Sequence, residues 1–188
     1  MAETKAKKIY EQLEEDLIFG GIDSRTFINA AEIAEKYGVS KAPVRDALQI
    51  LCSKGLLISY PGRGYMVNYF TDEELNEIQA LRRHLEKFSV QTAVENASDE
   101  EIRSLSAYLD GPDRSNTRFH IALAAIGGNS QLERTVRELV FKVAWSNNPK
   151  LLGLMEADYD IHQKIIDALL ARDLETAQKE IEKDIVVV

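Results

Sequence analysis

The sequence predicts a mainly α-helical protein of two domains: a winged helix-turn-helix over residues 1–70, then an all-α helical bundle over residues 71–188. Three observations carry that expectation. Ala31-Glu-Ile-Ala-Glu-Lys-Tyr-Gly-Val-Ser-Lys-Ala-Pro-Val-Arg-Asp-Ala-Leu48 reads as two short helices around a tight turn at Gly38. Gly55-Leu-Leu-Ile-Ser-Tyr-Pro-Gly-Arg-Gly-Tyr-Met-Val67 follows as a two-stranded wing. Beyond residue 70 the strand signals stop, and apolar residues recur at helical spacing.

Each element has its own signal. Ile9, Leu13 and Leu17 define a first helix that Gly20-Gly21 should end. Asn29 and Glu32 have the spacing of a capping box and open a second helix that runs to about Tyr37. Ser40 is placed to cap a third, with Pro43 in its first turn, where a missing N–H does no harm, and Gly55 as its stop. Strands are expected over 56–60 and 65–69, around Pro61-Gly62-Arg63-Gly64. Helices are then expected near 72–95, 99–109, 113–126, 130–146, 150–171 and 174–186. Thr71–Glu74, Ser98–Glu101 and Ser130–Glu133 supply capping-box spacings. Leu75, Ile78, Leu81, Leu85 and Phe88 give the first of these helices its period.

Bulk properties narrow the class. The 188 residues are 45% hydrophobic and 29% charged, a soluble globular profile. No apolar run approaches the roughly 18 residues of a membrane span, and Lys5, Lys7 and Lys8 precede no apolar core, so neither a span nor a signal peptide is expected. One cysteine, Cys52, excludes an internal disulfide framework, fits the cytoplasm and reads as packing. The net charge of −8 is unevenly distributed. Residues 1–68 hold 9 Lys+Arg against 9 Asp+Glu, and the remainder hold 14 against 22. Affinity for DNA follows a local basic face rather than total charge, and Lys36, Lys41, Arg45, Lys54 and Arg63 are the residues available to build one.

The third helix leads with Ser40, Lys41, Ala42, Pro43 and Arg45, slim and polar enough to approach a phosphate backbone and base edges in a major groove. Lys41 and Arg45 are four apart on one face. Val39, Val44, Ala47, Leu48 and Leu51 fall on the other and are expected in the core. At the wing tip, Gly62-Arg63-Gly64 offers one guanidinium on a pliable backbone to a minor groove or a phosphate. A winged helix that binds protein instead of DNA is the competing reading of this domain.

Val39-Ser-Lys-Ala-Pro-Val-Arg-Asp-Ala-Leu48, with Gly55-Leu-Leu and Gly62-Arg-Gly64, resembles the N-terminal domain of GntR-type bacterial transcription regulators. Lys41 and Ala42 stand where the family has Arg and Thr, and both changes remove hydrogen-bond donors. The helical remainder resembles the FadR-like branch, whose effector domain is called FCD, in shortened form around residues 107–115. The resemblance implies a cytoplasmic homodimer that binds operator DNA, a repressor in the first instance, with affinity modulated by a small organic acid or a divalent metal.

His84, His120 and His162 are the only histidines. Asn116 and His120 are four apart, as are Asp158 and His162, so each pair shares a helix face. In an antiparallel hairpin turning near Arg172, His162 and Asp184 reach similar height, so one amide, two imidazoles and one carboxylate can converge. The FCD resemblance, through Asn116-Thr-Arg-Phe-His120, Gly128-Asn129 and the segment from His162 to Ala168 before Arg172-Asp173, implies a metal held by Asn116, His120, His162 and Asp184. Asn116 replaces the family's aspartate and Asp184 its last histidine. An amide oxygen is a weak transition-metal ligand, yet two imidazoles and a carboxylate remain a set for Zn, Ni or Mn. Ala80-Leu-Arg-Arg-His-Leu-Glu86 resembles the family's Arg-x-x-Leu-Glu stretch and nominates Arg82 to grip an effector carboxylate. The alternative is a solvated Arg82–Glu86 pair. Phe119, Phe141 and Trp145 read as core or dimer interface, and His84 as surface. An enzyme is not expected, because no nucleophile elbow, phosphate loop or His-Glu-x-x-His motif occurs. A DNA-binding protein with a degenerate pocket and no effector is the alternative function.

Overall fold

The computed structural model describes residues 5–18, 22–23, 26–110, 115–146 and 159–186. The chain divides into two compact units. One is Met1–Tyr69 with Ala144–Ser146, and the other is Phe70–Val143 with Asn147–Val188.

The first unit holds α1 (Lys5–Ile18), α2 (Ala30–Lys36), α3 (Lys41–Ser53), β1 (Leu57–Tyr60) and β2 (Gly64–Val67). Ile9, Leu13 and Leu17 are buried on α1, and Val44, Ala47, Leu48 and Leu51 are buried on α3, as their spacing requires. The expected stop at Gly20-Gly21 lies outside the described residues. Asn29 does cap α2, but its side chain accepts from the Ala31 N–H, and no bond from Glu32 closes a box. Gly38 and Gly55 each follow a helix at positive φ, +63° and +70°. The next amide folds back in both cases, Val39 to the Ala34 carbonyl and Leu56 to the Leu51 carbonyl. This is the left-handed helix stop that glycine adopts without strain. Strands β1 and β2 pair antiparallel with Leu57 opposite Val67. Ile28 adds a bridge to Tyr65 at the edge of the wing.

The second unit is helical throughout its described residues: α4 (Asp72–Asn96), α5 (Asp99–Ser104) with a 3-10 turn (Leu105–Tyr108), α6 (Asn116–Ile126), α7 (Ser130–Trp145, whose last two residues are grouped with the first unit), α8 (Tyr159–Leu170) and α9 (Leu174–Asp184). Thr71–Glu74 and Ser98–Glu101 form complete capping boxes. The third box does not form. Asn129 caps α7 instead, accepting from the Gln131 and Leu132 amides, because the helix already begins at Ser130 and Asn129 therefore holds the N-cap position.

Helix α4 departs from its apolar period. Leu75 is buried, but Leu81 and Phe88 are 49% and 43% exposed. The inward stripe is Gln79, Arg82, Glu86, Ser89, Val90 and Ala93, again at helical spacing but largely polar. Below it lies a core of Val90, Ala93, Ile102, Phe119, Leu123, Ile165, Leu169 and Ile181. Helices α8 and α9 form a hairpin whose turn places Arg172 at φ +56°, the one positive-φ residue other than glycine among those described. Its guanidinium donates to the carbonyls of Val94 (3.2 Å) and Ala97 (2.9 Å), closing the end of α4, and to Asp99 at 2.8 Å. These bonds offset the local strain.

Candidate functional site

In the first unit, α3 presents Lys41, Ala42 and Arg45 to solvent, with Pro43 half-buried against the domain. The Ser40 hydroxyl is at the N-cap position and makes no cap bond, so it stays available. The basic face is narrower than the sequence suggests. Lys36 pairs with Asp16, and Lys54 bonds the Tyr10 hydroxyl (2.6 Å) beside Glu14. Of the five expected basic residues, Lys41, Arg45 and Arg63 have no carboxylate partner among the described residues.

The wing tip is a built turn rather than a pliable loop. The Arg63 N–H closes it on the Tyr60 carbonyl at 3.0 Å, with Gly62 at φ +75°. A Cβ on Gly64 would lie 2.6 Å from the Ile28 carbonyl oxygen, so this glycine serves a close backbone approach. The Arg63 guanidinium lies over the Phe27 ring, 4.3 Å from its centre. A cleft of about 290 Å³ between the wing and α3 is lined by Arg45 and Arg63 together, with Asn29, Tyr60 and Tyr65.

In the second unit, α4, α6, α8 and α9 bring one buried cluster together. His120 on α6 directs Nδ1 at Glu86 Oε2 (2.5 Å) and Nε2 at Asp184 Oδ2 (2.9 Å) and Asn116 Oδ1 (3.1 Å). His162 on α8 turns Nε2 to the same Asp184 oxygen at 3.2 Å. Phe119 stacks on the His162 ring with centres 3.9 Å apart, which fixes the ring plane. His162 Nδ1 is buried and has no hydrogen-bond partner among the described residues. Behind Glu86, Arg82 donates Nε to Oε1 (2.8 Å) and Nη1 to Gln79 (2.9 Å). Gln79 in turn donates to the Val186 carbonyl at 2.8 Å.

The electrostatics follow from this arrangement. Burial works against charge on His120, but Glu86 and Asp184 outweigh it and hold the imidazole up at about 9. With oxygen acceptors at both nitrogens, His120 therefore carries both protons. Burial also opposes charge on Glu86 and Asp184. Arg82 and His120 keep Glu86 below the usual carboxylate range, and His120 with His162 keep Asp184 well below it. His162 is pushed down, by burial above all.

The structure thus brings together Asn116, His120, His162 and Asp184. Asp158 lies outside the described residues, and His84 is exposed. Arg82 is neither solvated nor open: it is 4% exposed and engaged with Glu86. Sequence reasoning missed Glu86 as the partner of His120, although it fell in the stretch that nominated Arg82. The donor set fits a divalent ion. Ligand atoms of His120, His162 and Asp184 all lie within 4.8 Å of one another, and Glu86 sits on the far nitrogen of His120 as outer partners of metal-bound histidines do.

Residues 5–67 match the family of bacterial regulatory proteins called gntR, and residues 77–185, over half the chain, match the FCD domain. The chain belongs to the GntR family of transcription regulators. The regulator is 22% identical to the HTH-type transcriptional regulator YdhC of Bacillus subtilis, over 93% of this chain and 84% of that one. It is 26% identical to the HTH-type transcriptional repressor GlaR of Escherichia coli (90% and 87%). A probable D-xylose utilization operon repressor of Paenarthrobacter nicotinovorans is 27% identical (93% and 83%). Among solved structures, E. coli McbR/YncC superposes with a TM-score of 0.80 at 20% identity, covering 98% of this chain and 94% of the other. A putative GntR regulator from Rhodococcus sp. RHA1 gives 0.70 at 20% identity (96% and 93%). At such identity the likeness shows the fold. The family and its relatives are transcription regulators rather than enzymes. No helix among the described residues is long and apolar enough to cross a membrane.

Proposed function

We propose that this regulator is a cytoplasmic, homodimeric repressor whose affinity for operator DNA responds to a divalent metal, to a small carboxylate, or to both, in the helical domain. One observation carries the reading. His120, His162 and Asp184, each from a different one of three helices, converge at a buried point. A ligand that tightens or spreads that point changes how those helices pack.

The chain's own residues divide the work. Ser40, Lys41, Ala42, Pro43 and Arg45 face one half-site, and Gly62, Arg63 and Gly64 reach the adjoining backbone or minor groove. In the helical domain, His120 through Nε2 once that nitrogen has released its proton, His162 through Nε2, Asp184 through Oδ2 and Asn116 through Oδ1 would hold Zn, Ni or Mn. When bound, such an ion supplies a positive centre to which an organic acid can attach. Glu86 accepts a hydrogen bond from His120 Nδ1–H and so aims the opposite nitrogen into the site. Arg82 neutralises Glu86 and reaches an effector carboxylate only by exchanging it for Glu86.

The test uses a short duplex enriched by the wild-type protein from a random-sequence pool. Zn, Ni or Mn, with and without citrate, should change wild-type affinity for it. His162→Ala should bind the duplex but ignore these additions. Wild-type affinity indifferent to all of them would overturn the effector reading in favour of an effector-independent DNA-binding protein. Full-affinity binding by Arg45→Ala would overturn the assignment of α3 as the recognition helix.

A further inference from the structure

Arg63 is the one exposed guanidinium of the wing, and an exposed arginine ordinarily samples many rotamers. Here three constraints act on it. Its backbone closes the turn onto Tyr60. Its guanidinium lies on the face of Phe27 at 4.3 Å. The Phe27 ring is itself set by the edge of Tyr60, with centres 5.4 Å apart and planes at 89°. Phe27 does not belong to the wing. It stands just before Ile28, whose amide and carbonyl both bond Tyr65 on β2 at 2.7 and 3.0 Å. That bridge ties the ring to the strand that carries the arginine's turn.

From this geometry we infer that Phe27 is a positioning residue for DNA binding: it holds the Arg63 guanidinium in the orientation that meets the DNA backbone beside the recognition helix. The inference rests on the reading of Arg63 as a DNA contact. The chemistry favours a stack over an ion pair for this task. A carboxylate would occupy the in-plane N–H groups and cancel the charge. An aromatic face engages only the flat side of the guanidinium, leaving all its in-plane donors and its full charge for phosphate oxygens. Holding the side chain beforehand also reduces the rotamer entropy lost on binding. Arg63 lines the same cleft as Arg45, so one stretch of phosphate backbone can meet both.

The experiment is a double-mutant cycle on the full chain, read as affinity for a short duplex enriched by the wild-type protein, across a range of salt concentrations. Arg63→Ala should weaken binding about tenfold and lower the salt slope by about one. Phe27→Ala should weaken it about two- to fivefold, as expected for a stack at an exposed site. Phe27→Leu, which keeps apolar bulk without a ring, should match Phe27→Ala, and Phe27→Trp should restore affinity. In the Arg63→Ala background, Phe27→Ala should have no further effect. An equal loss from Phe27→Ala in both backgrounds would mean the ring only supports the fold and would overturn the inference. So would a Phe27→Ala protein with wild-type affinity beside a weakened Arg63→Ala. If Arg63→Ala itself binds normally, the reading of the wing falls and the inference falls with it.

Discussion

Arg45 and Arg82 each sit within a helix, four residues from another charge, and their surroundings are opposite. Arg45 on α3 has Lys41 at that spacing, both in water and neither tied to a carboxylate among the described residues. A like-charged pair there costs the helix a few tenths of a kcal/mol, about 0.2–0.5. No carboxylate among the described residues offsets that cost, and polyanionic DNA is the partner proposed for this face. Arg82 on α4 has Glu86, and both are buried. That pair is extended through His120 to Asp184 and His162, so its charges are committed inside the protein. Exposed, unpaired charge marks the surface offered to another molecule. Buried, paired charge marks a site that the protein organises for itself.

The largest effect that separates the two units should come from Glu86. Replacing it with alanine leaves Arg82 and His120 buried without their shared counter-charge, a loss of about 3–5 kcal/mol. Thermal melting should show it as a fall of about 10 °C or more. A shift under about 3 °C would mean water reaches the cluster and the pair is not truly buried.

The pH dependence of the metal-free protein comes next. His120 is held at about 9 when folded, above its ordinary value of about 6.5. A raised histidine contributes stability that is complete below the unfolded value and is lost as pH climbs through the folded one. Melting temperature should therefore decline between about pH 6.5 and 9, and His120→Gln should flatten that decline. A melting temperature that holds level across the window would contradict the two-carboxylate setting of His120. Asp184 works from the other side, since its lowered value contributes stability above the ordinary carboxylate range that is lost on acidification.

Smaller effects belong to the first unit. Arg45→Ala should weaken operator binding by about 1–3 kcal/mol, with melting moved by no more than a degree or two. Lys41→Ala should have a lesser effect, spread evenly over DNA sequences, and lower the salt slope by about one. Sequence-dependent loss from Lys41→Ala would make it a base reader instead of a phosphate contact.

What was legible in the sequence follows the range of the interactions. Helix caps at Thr71 and Ser98 and the stops at Gly38 and Gly55 are set by residues within a few positions, and the sequence announces them. Four of the clustered residues were legible as well, because Asn116–His120 is a helix-face spacing and His162–Asp184 follows from a hairpin turning at Arg172. Glu86 was not: its partner His120 lies 34 positions away, and only the packing of α4 on α6 unites them. The buried face of α4 was misread for a related reason. Apolar periodicity points Leu81 and Phe88 inward, whereas the helix buries Gln79, Arg82 and Glu86, whose mutual bonds satisfy their polar atoms. The pairing of Lys36 with Asp16 and of Lys54 with Tyr10 and Glu14 likewise spans 20 or more positions and thins the basic face in a way no local pattern shows.

The most direct measurement is thermal melting of the metal-stripped regulator with Zn, Ni or Mn, each with and without a citrate-type acid. A ligand that binds only the folded state, at a concentration about 100-fold above its dissociation constant, adds about 2.7 kcal/mol. Such a rise is expected for at least one metal, and is expected to be absent from His120→Ala and His162→Ala. A flat response to every metal, with acid or without, would contradict it and leave the buried cluster a purely internal charge network.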